Sequence, residues 1–189
     1  TLLVLLVVAV LARWRIVVLD FNSLLTSYLA DDAFYYYKIA ANIFSLHRIT
    51  YDGELLANGF HPLWMAVIVP FYTPSHDGAG FVARVQWIML GLHLLAAALL
   101  YLSLLRVRSG WWIATIITAA FCVHSTFVDM QMNGLETSLN TVMLLLLFNG
   151  FLTLWQQPLY PWRRYLFFGV VAGAAFLART DNAITLLLL

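Results

Sequence analysis

A chain of 189 residues that is 63% hydrophobic and only 10% charged does not have the composition of a water-soluble domain. Soluble domains contain about 45–50% apolar and about 25% charged residues, so the excess apolar side chains are expected to face a lipid bilayer. The net charge of +1 excludes a basic nucleic-acid-binding protein, and the single cysteine, Cys122, excludes a disulfide scaffold. At about 20 residues per span, the length accommodates five or six membrane helices.

Both ends of the chain lie within apolar runs, since Thr1 opens directly into one and the chain closes on four leucines at 186–189. We therefore expect 1–189 to be the N-terminal part of one transmembrane domain in a longer protein. The first run has neither a basic start nor a small-residue cleavage site, so it is interpreted as a retained span rather than a signal peptide.

Five apolar stretches predict an all-α, polytopic transmembrane fold with about five spans and an extracytoplasmic first loop that carries interfacial helices. The stretches cover 1–19, 85–105, 111–128, 137–155 and 165–189.

Three features of the apolar stretches call for a separate interpretation. The segment 63–72 is too short to cross a bilayer and is interpreted as re-entrant or interfacial. Arg13 and Arg15 are expected at an interface, where long side chains reach water. The last stretch is interrupted by 179–182, and this polar turn is expected to face a protein interior or a water-filled cavity, because charge exposed to lipid is costly.

Alternation of the spans separates the charged residues onto two sides. The loops 106–110 and 156–164 carry four arginines and no acid, and short Arg-rich loops face the cytoplasm. The opposite side is therefore predicted to be extracytoplasmic, in a plasma membrane protein. A shared polar site on that side explains the distribution of acids better than a general need for polar loops. All nine acids fall there: Asp20, Asp31, Asp32, Asp52, Glu54, Asp77, Asp129, Glu136 and Asp181.

The longest region outside the spans is the first outer loop, at about 20–84. Its segment 31–44 has helical spacing of apolar residues, and its tyrosines suit a helix in the headgroup layer. Asp31 and Asp32 start this segment, where carboxylates stabilise a helix N-terminus, so one interpretation is a helix cap. The other is a catalytic pair that supplies a general base or holds a divalent cation.

Farther along the loop, Asn58 begins a turn that is followed by His61 and Pro62. The imidazole of His61 is able to donate a hydrogen bond or a proton to a substrate phosphate, although an interfacial structural role is the alternative. The other histidines have no metal-ligand spacing, so a zinc site is not predicted.

Six short motifs follow one another along the chain: Asp31-Asp32-Ala33-Phe34-Tyr35-Tyr36, Ile39-Ala40-Ala41-Asn42-Ile43, Tyr51-Asp52-Gly53, Asn58-Gly59-Phe60-His61-Pro62-Leu63-Trp64, Asn133-Gly134-Leu135-Glu136-Thr137 and Leu177-Ala178-Arg179-Thr180-Asp181. In this order they resemble motifs of bacterial and archaeal membrane glycosyltransferases of the GT-C superfamily, in the group that includes arabinofuranosyltransferases. The resemblance extends across about 31–182, and Thr180 stands where the last motif of the family usually has proline.

The resemblance implies an inverting enzyme that moves a sugar from a polyprenyl-phosphate donor to an extracytoplasmic acceptor, which is a glycan, a lipid or a protein. It implies a catalytic base in the first loop, at Asp31 with Asp32 following, and no nucleic-acid partner. Some relatives use a divalent cation, so Mg²⁺ or Mn²⁺ bound by this aspartate pair stays open.

Such a reaction also needs cationic partners for the leaving phosphate, in a site at the surface of the membrane lipids. For Arg179 the alternative is an internal ion pair with Asp181 or Glu136, and for Glu136 it is a capping box with Asn133. The candidate substrate-binding residues are Lys38, Arg48, Asn58, His61, Glu136, Arg179 and Asp181.

Two other functions compete with sugar transfer. In a transporter or channel, the outer carboxylates would recruit a cation, and His93 would lie within a span. In a non-catalytic subunit of a larger membrane complex, partner helices would fill or block the outer cavity.

Overall fold

A computed structural model describes residues 1–73, 78–156 and 162–188, and within these ranges the chain is helical without a β-strand. This confirms the all-α prediction. The ten α-helices of the described ranges are α1 (Leu2–Val17), α2 (Phe21–Ser27), α3 (Asp31–Leu46), α4 (Pro62–Ile68), α5 (Gly78–Arg106), α6 (Trp111–Val123), α7 (Ser125–Gln131), α8 (Thr137–Gln156), α9 (Trp162–Ala178) and α10 (Asn182–Leu188).

Two to four helical segments are able to cross a bilayer. Helices α5 and α8 are each long and apolar enough alone, and the number rises to four if two bent pairs each form one span. The pair α1 and α2 is bent by 106°, and the pair α6 and α7 by 63°. Helix α4 and the 3-10 turn Val69–Phe71 that follows it are together too short to span, as predicted for 63–72.

Helix α5 begins at Gly78, seven residues before the start of the predicted apolar stretch at 85. The one charged residue of these added turns is Arg84, whose side chain bonds to residues outside the helix. Arg84 Nε donates to the carbonyl of Phe71 at 2.9 Å, and Nη2 donates to Thr73 Oγ1 at 2.8 Å. The first turns of α5 are thereby tied to the end of the first loop. Asp77, one of the nine acids, lies outside the described residues.

The long helices give the molecule two ends. Helices α5 and α8 run away from the end that holds Glu136, which we call the cavity end. Helices α1, α6 and α9 run toward it, so Arg106, Arg108, Arg163 and Arg164 share the opposite end, which we call the arginine end. Helix α5 packs against α1, α6 and α8, and α8 packs against α9.

The prediction that Arg13 reaches an interface is wrong. Its side chain is fully buried, where Nη1 donates to the carbonyl of Cys122 at 2.7 Å and Nη2 lies 3.2 Å from His93 Nδ1. Helices α1, α5 and α6 are joined by these contacts. The neighbouring Arg15 is exposed, as expected.

Candidate functional site

One face of α3 points into an open cavity at the cavity end. Asp32, Tyr35 and Tyr36 all line this cavity, and their spacing of three and four residues places them on one side of a helix. The ring of Tyr35 stacks on that of Tyr51 with centroids 5.1 Å apart, which fixes the ring as part of the wall.

A tight loop before α8 brings a second segment to the same place. Gly134 has a φ of +87°, and a Cβ there would lie 2.7 Å from Ala33 Cβ and from the Tyr37 hydroxyl. Only glycine allows this approach together with this backbone conformation. The Ala30 amide also donates to the Asn133 carbonyl at 2.9 Å, so the loop is fastened to the start of α3.

Glu136, which that loop delivers, is the centre of the site. Its carboxylate is 6% exposed, with Oε1 lying 3.5 Å from His61 Nε2 and 3.7 Å from Arg179 Nε. The Tyr36 hydroxyl donates to Oε2 at 3.4 Å and accepts from the His61 amide at 3.3 Å. A buried carboxylate requires such partners, so Glu136 fixes residues from three other segments.

Tyr36 is held in its neutral form. Burial, and then the negative charge of Glu136, raise the pKa of the Tyr36 phenol well above its usual range. The hydroxyl therefore remains a hydrogen-bond donor throughout the physiological pH range.

Arg179 approaches from the break between α9 and α10. Its Nη2 lies 3.2 Å from Asp181 Oδ2, so both ion pairs considered from the sequence, with Glu136 and with Asp181, occur together. The side-chain Nδ2 of Asn182 donates to Asn140 Oδ1 at 2.6 Å and to the Ala175 carbonyl at 2.7 Å. These buried bonds fix the break, and Arg179 lines the cavity as expected for the polar turn.

The cavity has a volume of about 530 Å³, within the range typical of small-molecule sites. The lining contains two carboxylates, a guanidinium, an imidazole and two phenol rings. This set of groups suits a ligand that is rich in hydroxyl groups and has an anionic group at one end. Its lining residues are Asp32, Tyr35, Tyr36, Gly59, His61, Leu135, Glu136, Thr137 and Arg179.

Four sequence-predicted residues therefore meet in this cavity: Asp32, His61, Glu136 and Arg179. The others do not line it. Asp31, Lys38 and Asn58 are exposed, Arg48 Nη2 donates to the Glu54 carbonyl at 3.1 Å, and Asp181 reaches the cavity only through Arg179.

Two structural alternatives are wrong in detail. The N-cap of α3 is Ala30, so neither Asp31 nor Asp32 caps that helix through its side chain. Both nevertheless lie in its first turn, where their charge suits the positive end of the helix dipole, as the same interpretation expected. The capping box of Glu136 with Asn133 does not form, because α8 begins at Thr137 and Asn133 Oδ1 accepts from the Leu135 amide instead.

The aspartate pair considered for a divalent cation does not form a metal site of protein ligands in the described part of the chain. Within it, no group of three or more His, Cys, Asp or Glu residues is placed to hold a metal ion. Asp32 lines the cavity without Asp31.

Sequence reasoning missed the cavity role of Tyr35 and Tyr36, which had been placed only on an interfacial helix. The signal was present, because both residues share the helical face of Asp32. Gly59 and Thr137 lie within the quoted motifs but were not chosen as site residues, since their place in the lining depends on how distant segments meet.

Comparisons with protein-family models, with curated proteins and with solved structures each found no match. The resemblance to GT-C glycosyltransferases therefore rests on the motifs alone.

Proposed function

We propose that this chain carries the donor-binding site of a membrane glycosyltransferase, which moves a sugar from a polyprenyl-phosphate donor to an extracytoplasmic acceptor with inversion. One observation carries the proposal. Asp32, His61, Glu136 and Arg179, each from a different glycosyltransferase-like motif, line one open cavity although they are up to 147 residues apart.

The chemistry of the lining supports sugar transfer. Carboxylates and phenols recognise sugar hydroxyls, and aromatic rings pack against the apolar face of a sugar. Arg179 and His61 are the hydrogen-bond donors for the leaving phosphate, and Glu136 holds both in position from behind.

The reaction is a single displacement. The acceptor oxygen attacks the anomeric carbon while the bond from that carbon to the phosphate oxygen breaks, so the polyprenyl phosphate leaves with the bonding electrons. A carboxylate takes the acceptor proton. We assign this base to Asp32, because it lines the cavity and Asp31 does not.

We further propose five spans, formed by α1, α5, the bent pair α6 and α7, α8, and α9. The arginine end then faces the cytoplasm, because positively charged loops remain on that side. The cavity end faces outward across the plasma membrane, where a lipid-linked donor reaches the cavity from the outer leaflet.

Transfer from a synthetic polyprenyl-phosphate sugar, measured with the full-length protein in proteoliposomes, tests the proposal. Arg179→Gln is expected to lower the turnover rate by about 100-fold or more, because the leaving phosphate loses a charged donor. Arg15→Gln, which removes an exposed arginine outside the cavity, is the matched control and is expected to retain activity.

Two results would refute the proposal. One is an equal loss of transfer in both variants, and the other is wild-type protein that releases no polyprenyl phosphate with any sugar donor. Unchanged transfer in Arg179→Gln would exclude Arg179 from binding the leaving phosphate, whereas wild-type protein without any transfer would favour a non-catalytic subunit.

A transporter is the second candidate, favoured by the full burial of Arg13 and His93 between helices. The guanidinium bonds to the Cys122 carbonyl rather than to an acid, and neither residue lines the cavity. Solute flux into proteoliposomes that requires His93 and no lipid donor would establish this alternative.

A further inference from the structure

A second cavity, of about 360 Å³, lies at the arginine end between α5, α8 and α9. The lining residues of the two cavities that lie nearest to each other on α8 are Thr137 and Leu146, nine residues apart, which is about 14 Å at the rise of an α-helix. The second cavity is therefore a separate site, which we call the arginine groove. Its lining residues are Leu99, Leu102, Arg106, Leu146, Asn149, Gly150, Thr153, Leu154, Arg164, Phe167 and Phe168.

The polar part of the arginine groove is built around Arg106. Its Nη1 donates to the Asn149 carbonyl at 3.1 Å and to Thr153 Oγ1 at 2.9 Å. Asn149 is fixed in turn, because its amide nitrogen donates to Ser103 Oγ at 2.6 Å and to the Leu145 carbonyl at 2.9 Å. These bonds orient the guanidinium through Nη1, while Nε and Nη2 carry three further donors.

The remaining part of the groove is apolar and open to the outside. Phe167 is 62% exposed and Leu102 is 45% exposed, although both line a cavity. A Cβ on Gly150 would lie 2.9 Å from the ring of Phe168, so glycine lets α9 approach α8 closely here. An elongated hydrocarbon chain fits a groove whose apolar wall is exposed in this way.

Charge indicates which hydrocarbon-bearing molecule fits. The arginine end carries Arg106, Arg108, Arg163 and Arg164, and within the described ranges no Asp or Glu lies there. The contacts of Arg106 are with a neutral carbonyl and a hydroxyl, so its charge is not neutralised by them. A phosphate accepts paired hydrogen bonds from a guanidinium, whereas a zwitterionic headgroup also brings a cation toward the arginines.

We propose that the arginine groove binds one anionic phospholipid, with its phosphate on Arg106 and Arg164 and an acyl chain along Leu102, Leu146 and Phe167. This site is distinct from the cavity proposed for sugar transfer and does not depend on it. It belongs to the leaflet opposite that cavity, where it ties α9 to α5 and α8.

Native mass spectrometry of the full-length protein, titrated with phosphatidylglycerol or with phosphatidylcholine of the same acyl chains, tests this proposal. We expect at least tenfold tighter binding of phosphatidylglycerol by the wild-type protein. Arg106→Gln and Arg164→Gln are each expected to weaken it by about tenfold, the usual loss for a charged hydrogen bond. Arg164→Gln keeps the assay decisive if removal of the Arg106 bonds impairs folding.

Matched controls lie beside each tested residue. Arg108→Gln and Arg163→Gln remove the same charge from the same end but do not line the groove, so they are expected to change the affinity less than twofold. For the apolar part, Phe167→Ala is expected to weaken binding, whereas Phe176→Ala, an exposed residue elsewhere on α9, is not.

Four outcomes would overturn the proposal. Equal losses in all four arginine variants would mean diffuse attraction to the membrane surface. Equal affinity for the two lipids would mean that the net negative charge of the headgroup is not recognised. Competition by glycerol phosphate at the same concentration as the lipid would mean a small-anion site, and no lipid bound at all would mean that another helix covers the groove.

Discussion

The two ends of this helical protein hold cavities of about 530 and 360 Å³, and the charged side chains that line them have different kinds of partner. At the cavity end, the buried carboxylate of Glu136 lies beside the cation of Arg179 and the imidazole of His61. At the arginine end, the partners of the Arg106 guanidinium among the described residues are two neutral oxygens. Paired charges hold each other in a fixed geometry, whereas a cation bonded to neutral groups attracts an anion. The uneven distribution of acids thus separates two kinds of binding site.

The largest expected contrast between the ends is in their sidedness. The native Cys122 is fully buried, so a cysteine introduced on the surface is expected to be the sole reactive thiol. Ser45→Cys, near the C-terminal end of α3, is expected to react with a membrane-impermeant maleimide in intact cells. Val107→Cys, at the arginine end, is expected to react only after the cells are lysed. The reverse pattern would place the arginine end outside and remove the donor cavity from the outer leaflet.

The next effect is on the stability of the cavity end. Gly134→Ala forces a Cβ against Ala33 and Tyr37 at a φ of +87°. Backbone strain and overpacking together are expected to lower the free energy of unfolding by about 2–4 kcal/mol. Thermal unfolding in detergent measures this change. Gly169→Ala, in α9 with no atom near its Cβ, is the control and is expected to be neutral or slightly stabilising.

A smaller effect is expected when the central carboxylate loses its charge but keeps its shape. Glu136→Gln leaves His61 and Arg179 without the anion that positions them, and small misplacements of catalytic groups cost about 100-fold in rate. The turnover of sugar transfer should fall by about this factor while the protein stays folded. Glu54→Gln, an exposed residue of the first loop, is expected to behave like the wild type. Full activity in Glu136→Gln would contradict the role of Glu136 as a positioning residue.

The smallest effect is expected at the arginine end. Thr153→Val removes one of the two bonds that orient Arg106 and is expected to weaken phosphatidylglycerol binding by about 0.5–1.5 kcal/mol. Thr115→Val removes a hydroxyl that bonds only within α6, and it should leave the affinity unchanged. Identical lipid affinities in the two variants would show that the orientation of Arg106 does not matter.

Much of this fold follows from hydrophobic patterning. Long apolar runs predicted α5 and α8, and the short run at 63–72 was rightly separated from the spans. The first stretch was predicted to end at 19, close to the end of α1 at Val17. The bend after α6 was not predicted, because His124 is not a helix-breaking residue such as proline. The burial of Arg13 was also missed, since its partners His93 and Cys122 are distant in sequence.

The candidate site was predictable only where its residues carry charge. Asp32, His61, Glu136 and Arg179 stood out because charged and polar residues are rare in this sequence. The family resemblance pointed to Asp31 as the base, whereas Asp32 is the residue that lines the cavity. Which of the two does so depends on which side of α3 packs against the loop at Gly134. The second cavity escaped prediction because the sequence shows its arginines only as a topology signal.

The comparison of Asp32→Asn with Asp31→Asn, in proteoliposomes supplied with a polyprenyl-phosphate sugar, tests the central claim most directly. The two residues are neighbours at the start of one helix, so loss of either charge affects that helix alike. We predict that Asp32→Asn lowers transfer by about 100-fold or more, because the acceptor loses its base, while Asp31→Asn changes it less than threefold. Full transfer by Asp32→Asn, or an equal loss in both variants, would contradict the assignment of the chemistry to this cavity.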